Sequence, residues 1–379
     1  MQKKEKKPMK QFFIKPTIKM LDTVQELCDT YKIGDGDLVF ASNSTYERYF
    51  KDKINGATII NYRKYGSGEP TDLMVEGICK EVKNITYNRV FAIGGGTILD
   101  VAKLFALKNV SPVVDLYDGK LEIKKEKELI LIPTTCGTGS EVTNIAILEL
   151  TTKNTKMGLA VDELYADEAV LIPELVESLP FKFFTTSSID ALIHSIESYT
   201  SPKANPFTQM FSKKAMKMIL ETYKVIAKEG EEARKPLIDQ VLLASTYAGI
   251  AFGNAGCAAV HAMSYPLGAA YHVPHGEANY AMFTGVYKKY QEIDPEGSIK
   301  ELNKYLSEIL ECKPEEVYEE IEVLLNHLIP KKALHEYGVK KEELKEFTEV
   351  VMTKQGRLMA NNYVKLDQET VYGIYKELY

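Results

Sequence analysis

Four short apolar runs in the first half of the chain constrain its fold more than any other feature. They span residues 37–41, 58–60, 89–93 and 128–132. Helix-like patterns separate them, near residues 45–53, 71–84 and 98–108. Strands that are apolar on both faces have to be covered on both faces, which is typical of a parallel sheet between helices. The first half is therefore predicted to be a doubly wound, Rossmann-like α/β domain.

The pattern changes after about residue 180. Strand-like runs become rare, and long helical patterns follow at residues 187–199, 206–228 and 234–252 and again after residue 299. A chain of 379 residues is long enough for about two to three domains. We predict a dinucleotide-binding α/β domain over residues 1–180 and an all-α domain, which binds metal and substrate, over residues 181–379.

Charge and composition exclude several classes of partner. The net charge is −6 with acids and bases mixed along the chain, which argues against nucleic acid. No apolar run approaches the ~20 residues that span a bilayer, and no signal peptide is visible, so a cytoplasmic protein is expected. The five cysteines form no C-x-x-C pair, which is typical of reduced thiols. The lysine-rich stretch from Lys3 to Lys10 is expected to be a solvated end.

Two loops follow predicted strands and carry glycines. The first contains Gly94, Gly95 and Gly96 before a helical pattern, and the second, over residues 134–140, alternates hydroxyls and glycines. Free N–H groups at a helix start favour a phosphate. The first loop is neither G-x-G-x-x-G nor a Walker A loop, and alone it could be a tight turn without a ligand. Two such loops at the ends of parallel strands favour a nucleotide site.

Three of the six histidines lie in one stretch, residues 260–279: His261, His272 and His275. Pro266, Gly268 and Pro274 predict that this stretch is not one plain helix. Clustered imidazoles suggest a metal site or a site that handles protons, because each ring nitrogen needs a partner.

Asp190 and His194 could complete such a site. Their i, i+4 spacing places both side chains on one helix face, and Ser187 is predicted to cap that helix, with Asp190 in its first turn. A surface acid–histidine pair is the alternative. Together with His261 and His275, they offer one carboxylate and three imidazoles, a set that suits Fe(II), Zn(II) or a similar ion.

These motifs resemble the iron-dependent (group III) alcohol dehydrogenase family over nearly the whole chain. The carrying residues are Gly94-Gly95-Gly96-Thr97 with Asp100, Pro133 to Glu141, Asp190-Ala191-Leu192-x-His194, and His261 through Pro274-His275-Gly276-x-x-Asn279. The resemblance implies a nucleotide-binding α/β domain of the dehydroquinate-synthase-like type, a helical second domain and a divalent iron in the cleft between them. Homodimers are common in the family, and a larger homo-oligomer is also compatible with the resemblance.

The resemblance also implies roles for individual residues. The metal ligands would be Asp190, His194, His261 and His275. The cofactor would contact Gly94, Gly95, Gly96, Thr97, Asp100, Thr134, Thr135, Thr138 and, at the ribose, Lys156. The closer resemblance within the family favours NAD. NADP stays open, because after the first strand Asn43 stands where an acid would reject a 2′-phosphate.

The chain departs from the family pattern at two positions. Tyr265 stands where the family usually has a further histidine, and His272 is an additional one. Either could relay the proton released on alcohol oxidation, and His272 is preferred because its ordinary pKa suits that task. The alternative for His272 is a hydrogen bond that orients a metal ligand.

The stretch from Ala259 to Tyr280 most resembles 4-hydroxybutyrate dehydrogenases, which interconvert 4-hydroxybutyrate and succinate semialdehyde. The substrate carboxylate would then need a donor, for which His272, Arg357 and Lys182 are candidates. Three alternatives stay open: a general alcohol dehydrogenase of the butanol or 1,3-propanediol type, a non-redox lyase or zinc glycerol dehydrogenase on the same scaffold, and a sensor without turnover.

Overall fold

The computed structural model describes residues 11–66, 68–153 and 155–379, so the lysine-rich stretch from Lys3 to Lys10 lies outside the described residues. The chain forms two compact units. The sheet unit comprises Lys15–Ser187 and Arg234–Gly249, and the helical unit comprises residues 11–14, Ser188–Ala233 and Ile250–Tyr379. Because the units interleave along the chain, the single division at residue 180 stays a prediction.

The sheet unit is built on six parallel strands in the order β1-β8-β5-β4-β2-β3. Together with the two strands of a separate hairpin, β6 and β7, the strands of this unit are β1 (Thr17–Met20), β2 (Asp37–Ala41), β3 (Thr58–Asn61), β4 (Arg89–Gly94), β5 (Glu128–Pro133), β6 (Ile145–Leu150), β7 (Thr155–Ala160) and β8 (Glu168–Leu171). The predicted parallel sheet is confirmed. The antiparallel hairpin of β6 and β7 was not predicted, and neither were β1 and β8.

Helices cover both faces of this sheet. They are α1 (Val24–Tyr31), α2 (Asn43–Tyr49), α3 (Asp72–Val82), α4 (Gly96–Leu104), α5 (Val113–Tyr117) and α6 (Glu174–Glu177). Residues that alternate along β4 enter two different cores: Val90 and Ala92 pack with α3 and α4, whereas Phe91 and Ile93 pack with α1. This division explains why each strand is a continuous apolar run.

The strand register brings three loops to one edge of the sheet. Ala41, Ile93 and Ile132 are direct partners across β2, β4 and β5, so the chain leaves all three strands at the same level. From β2 the chain crosses to β3 on one side and then to β4 on the other. Such a reversal is where doubly wound sheets bind ligands.

The rest of the chain is helical, as predicted, and the described residues after Leu171 form no strand. The helices are α7 (Phe181–Thr200), α8 (Pro206–Glu229), α9 (Ile238–Ala255), α10 (Ala259–Tyr271), α11 (His275–Ile293), α12 (Gly297–Leu310), α13 (Val317–Asn326), α14 (Glu343–Lys354), α15 (Gly356–Met359) and α16 (Gln368–Glu377). No single helix among the described residues is long and apolar enough to cross a membrane; Glu231–Ala255 with Ala259–Tyr271 passes that test only as a bent pair.

The predicted start of helix α7 is wrong. Helix α7 begins at Phe181, because the Pro180 carbonyl already accepts the Phe184 N–H, and a proline is well suited to a helix start. Ser187 is therefore not an N-cap. Its hydroxyl donates back to the Phe184 carbonyl at 3.1 Å, as serines inside helices do. Asp190 consequently lies in the middle of the helix and not in its first turn.

The histidine-rich stretch is not one plain helix, as predicted, but neither Pro266 nor Gly268 breaks it. Helix α10 continues through Pro266, whose buried ring costs one backbone hydrogen bond without ending the helix. The chain breaks later, at His272, which adopts the left-handed conformation at φ 53°. Pro274 follows two residues on and cannot continue α10. The stretch is thus two helices, α10 and α11, joined at His272.

Candidate metal centre and cofactor loops

Four side chains of the helical unit converge on one point. Asp190 and His194 lie one turn apart on α7, His261 lies near the start of α10, and His275 is the first residue of α11. The Nε2 atoms of His261, His275 and His194 lie 3.5, 3.7 and 3.9 Å from the same Asp190 oxygen, Oδ1. The structure therefore brings together all four predicted ligands, including those on separate helices.

These separations fit a shared cation better than hydrogen bonds. Two ligands of a tetrahedral ion at about 2.1 Å lie about 3.4 Å apart, whereas a strong N–H···O bond is nearer 2.9 Å. His261 Nε2 is buried and has no hydrogen-bond partner among the described residues. An orphaned ring nitrogen that faces a buried carboxylate and two further imidazoles is the arrangement that a divalent metal ion completes.

Neighbouring side chains hold the four residues in place. The His194 ring is stacked between Phe252, at a centroid distance of 4.1 Å, and His261, at 4.6 Å. Asn279 Nδ2 donates to Asp190 Oδ1 at 2.7 Å. Asn279 belonged to the recognised motif but had no predicted role. The ring stacking fixes the plane of His194, and the amide fixes one carboxylate oxygen, so the cluster is organised before any metal binds.

The charges of the cluster act on one another. Burial raises the pKa of Asp190, but the three histidines outweigh it and hold that pKa well below its ordinary value. Burial lowers the pKa of His261, but the carboxylates of Glu197 and Asp190 outweigh it and raise the pKa to about 9. In the metal-free protein, His261 therefore keeps a proton that a bound cation has to displace.

Two residues beside the cluster had not been singled out as ligands or partners of ligands. Glu197 is fully buried on α7 and contacts His261 Nδ1 at 2.6 Å. The sequence signal that could have identified Glu197 is its position seven residues after Asp190, which is two helical turns away on the same face. Cys257 Sγ lies within 4.8 Å of nitrogens of His194 and His261. Burial raises the pKa of this thiol well above its ordinary value, which makes it a poor metal ligand.

The two residues predicted to transfer protons differ in position. Tyr265 lies on α10 with its ring centroid 6.1 Å from that of His275. His272 is exposed at the end of α10 and, within the described part of the chain, makes no hydrogen bond, ion pair or ring contact. The structure thus places Tyr265 beside the cluster and does not bring His272 into contact with it.

The glycine-bearing loops lie at the sheet edge described above, in the sheet unit. Helix α4 begins at Gly96 without a side-chain cap, so N–H groups of its first turn are free for a ligand. Gly95, Gly96, Thr97, Thr134, Thr135 and Thr138 are all partly exposed. A Cβ added to Gly96 would lie 2.8 Å from Thr138 Cγ2, so close packing between the loops is itself a reason for this glycine.

Asp100 joins the two loops instead of facing outward. Its Oδ1 accepts from Ser140 Oγ at 2.5 Å and from Lys103 Nζ at 3.2 Å, and its Oδ2 accepts from the Ile147 N–H at 3.1 Å. Lys103 is fully buried and also donates to Ser140 and to the Ile145 carbonyl. These contacts give Asp100 a structural role, and its contact with a cofactor stays a prediction.

The remaining predicted cofactor residues also lie in the sheet unit. Asn43 follows β2 at the same edge and accepts a hydrogen bond from Asn61 Nδ2 at 3.1 Å. Lys156 lies on β7 and forms an ion pair with Glu69. Asn43 is therefore placed beside the glycine-bearing loops, whereas Lys156 is engaged with an acid, and both roles stay predictions.

Sequence comparison agrees with this arrangement. Residues 19–173 match the family model for iron-containing alcohol dehydrogenase, and residues 184–379 match the model for the C-terminal part of the same family. The chain therefore belongs to the iron-containing alcohol dehydrogenase family. A 4-hydroxybutyrate dehydrogenase of Clostridium kluyveri is 47% identical over 371 residues, which is 98% of this chain and 100% of that protein. Long-chain-alcohol dehydrogenase 1 of Geobacillus thermodenitrificans is 33% identical over 76% of this chain and 74% of that protein.

Solved structures show the same fold. Sulfoacetaldehyde reductase from Bifidobacterium kashiwanohense, determined with NAD+, superposes with a TM-score of 0.82 at 20% identity, covering 98% of each chain. NADH-dependent butanol dehydrogenase A from Thermotoga maritima gives a TM-score of 0.80 at 18% identity, covering 97% of each chain. These likenesses establish the fold.

Proposed function

We propose that this protein is a metal-dependent oxidoreductase that interconverts 4-hydroxybutyrate and succinate semialdehyde. In the oxidative direction, 4-hydroxybutyrate and NAD+ give succinate semialdehyde, NADH and a proton. One observation supports the metal dependence: Asp190, His194 and His275 converge on His261 Nε2, which has no hydrogen-bond partner in the described part of the chain. The 47% identity to a 4-hydroxybutyrate dehydrogenase over nearly the whole chain supports the substrate.

Asp190, His194, His261 and His275 would hold the metal, for which iron is favoured by the family. When bound, a divalent ion supplies Lewis acidity that eases loss of the hydroxyl proton. Oxygen and nitrogen ligands suit both iron and zinc, and no thiolate tips the choice toward zinc. Phe252 and the other apolar neighbours limit water at the histidines, which strengthens electrostatic interactions there.

The glycine-bearing loops would hold the cofactor diphosphate through backbone N–H groups at the start of α4. The hydroxyls of Thr134, Thr135 and Thr138 are partly exposed on the neighbouring loop and would contact the rest of the dinucleotide. We favour NAD because two proteins of the same fold are described with NAD+ or as NADH-dependent. NADP stays the alternative, because Asn43 can bond a ribose hydroxyl but does not strongly repel a 2′-phosphate. For the proton released in the oxidative direction, the position beside His275 favours Tyr265 over His272.

Arg357 is the favoured partner of the substrate carboxylate among the three candidates. Its helix α15 packs against α10, which carries His261, and nearby Asn361 donates to the Cys257 carbonyl at 3.1 Å. The Arg357 charge acts on the Cys257 thiol, lowering its pKa against the larger effect of burial. Arg357 is exposed and, among the described residues, has no hydrogen bond or ion pair, so its guanidinium is available to an anion.

A substrate comparison tests the function. The purified enzyme, loaded anaerobically with Fe(II), is assayed for NADH oxidation with succinate semialdehyde and with butanal, which has the same carbon count but no charge. Hydrogen bonds to a charged group contribute about 1.5–3 kcal/mol, so we expect kcat/KM about 10–100-fold higher for the acid. Equal values would identify a general alcohol dehydrogenase, and no turnover of either aldehyde would contradict the proposal.

The variant Arg357→Ala locates the carboxylate site in the same assay. We expect it to lose about 10–100-fold in kcat/KM for succinate semialdehyde and to keep its rate on butanal. Lys354→Ala, which removes an exposed cation three residues away, is the matched control and should change neither substrate. An acid preference that survives in Arg357→Ala would assign the carboxylate to another donor.

A further inference from the structure

The carboxylate of Glu197 uses both of its oxygens at the start of α10. Oε1 accepts the backbone N–H of Val260 at 2.7 Å, and Oε2 lies 2.6 Å from His261 Nδ1. The side chain is fully buried. The Val260 N–H belongs to the first turn of α10, where backbone donors have no partner within the helix. Glu197 on α7 therefore holds two groups at the start of α10: the backbone N–H of Val260 and the imidazole ring of His261.

We propose that Glu197 is a positioning residue that holds His261 in the tautomer able to bind a metal. A carboxylate only accepts hydrogen bonds, so the proton between the two groups belongs on His261 Nδ1. In the metal-bound ring the lone pair then lies on Nε2. This atom faces Asp190 Oδ1 at 3.5 Å and has no hydrogen-bond partner among the described residues. The inference rests on the proposed metal site but not on the identity of the substrate.

The second bond, to Val260, makes this role specific to a carboxylate. An amide at position 197 has one accepting oxygen and one donating nitrogen. If the oxygen accepts the Val260 N–H, the nitrogen faces His261 Nδ1 and drives the ring proton to Nε2, where it blocks the metal. If the amide turns over, its N–H₂ meets the Val260 N–H and a buried backbone donor is left unpaired. Neither orientation reproduces the wild-type arrangement.

Charge gives a second reason for an acid at this position. Glu197 and Asp190 are both buried in the helical unit and contact the same imidazole from opposite ring nitrogens. With three neutral histidines, their two negative charges match one divalent cation. Removing the Glu197 charge leaves one of the cation's two positive charges uncompensated, which costs affinity in a region of low dielectric.

The test is the metal affinity of Glu197→Gln, measured by titrating the metal-free protein with Co(II) and following its visible absorption, with thermal unfolding of the metal-free form as the check on folding. Loss of a partner that orients a metal-ligating histidine typically costs 10–100-fold in affinity, and we expect a loss of about that size. Ser264→Ala is the matched control: it removes a buried 2.9 Å hydrogen bond to the backbone carbonyl of the same histidine without touching its ring. It should keep the wild-type affinity.

Each outcome decides the proposal. Wild-type affinity in Glu197→Gln overturns it, and so does an equal loss in Glu197→Gln and Ser264→Ala, which would indicate general loosening. If Glu197→Gln does not fold, Glu197→Asp carries the test, because its carboxylate is about 1.5 Å short of the ring; a folded Glu197→Asp with wild-type affinity overturns the proposal. Failure of the wild-type protein to bind Co(II) would instead contradict the metal site itself.

Discussion

The proposed metal-binding cluster, which consists of Asp190, His194, His261 and His275, contrasts with the glycine-bearing loops of the sheet unit. In the cluster, the Nε2 atoms of three histidines lie 3.5–3.9 Å from one Asp190 oxygen, and His261 Nε2 has no hydrogen-bond partner among the described residues. In the loops, Asp100, Lys103 and Ser140 satisfy one another. We infer that the cluster is completed only by a ligand, so the identity of its side chains decides its function. The loops already have these polar side chains paired, and the groups that they would present to a ligand are backbone N–H groups.

The largest expected effect comes from removing an imidazole from the cluster. His261→Ala should weaken metal binding by on the order of 1000-fold, more than the 10–100-fold typical for loss of a residue that only orients a ligand. The rise in unfolding temperature on adding Co(II) should disappear with it. His327→Ala, which removes an exposed histidine of the same unit, is the control. Metal stabilisation that persists in His261→Ala would contradict the idea that the cluster is incomplete without a ligand.

The second prediction concerns the glycine-bearing loops, where Asp100, Lys103 and Ser140 form hydrogen bonds with one another. Lys103→Met removes a fully buried ammonium group and leaves the Asp100 carboxylate and Ser140 without their common donor. We expect the free energy of unfolding to fall by about 3 kcal/mol, the lower end for breaking a buried pair, because Asp100 retains some exposure. Urea denaturation measures the change.

The matched control for this variant is Lys108→Met, a half-exposed lysine shortly after the same helix. It should change stability by less than about 0.5 kcal/mol. Lys103→Met should also leave Co(II) affinity unchanged. A variant that unfolds like the wild type, or that loses metal, would break the distinction between the two regions.

The sheet was largely predictable because its strands carry their signal locally. Each strand of β2 to β5 is apolar on both faces, and each prediction ended within one residue of the observed bounds. The hairpin of β6 and β7 was missed because it alternates between buried and partly exposed residues and contains Thr, Lys and Gly. Its stability comes from pairing between the strands, which no local pattern reports.

The cluster was predicted from residue types, but its supporting contacts were not. Spacing on α7 links Asp190 and His194, whereas the approach of α10 and α11 depends on packing in the helical unit. Glu197 lies on the same helix face as Asp190. From the sequence alone, an acid at this position is equally compatible with a buried and a solvated side chain, and only the position of His261 beside it distinguishes the two. The start of α7 was missed because Ser187 has the chemistry of a cap, and only the backbone hydrogen bonds show that the helix begins directly after Pro180.

The smallest expected effect is a pH dependence that only one region should show. The pKa of His261 in the metal-free protein is raised to about 9, because two carboxylates outweigh burial. A metal ion must displace this proton, so Co(II) affinity should rise about tenfold per pH unit between pH 7 and 9 and level off above. The same raised pKa stabilises the metal-free fold below about pH 6.5, and that stability is lost as the pH approaches 9.

NAD affinity, which depends on backbone N–H groups, should stay flat over this range. Titrations with buffered free Co(II) at each pH measure the metal affinity, and cofactor titrations at the same pH values measure the NAD affinity. Equal pH slopes for the two ligands would mean that the regions do not differ in the way their hydrogen bonds indicate.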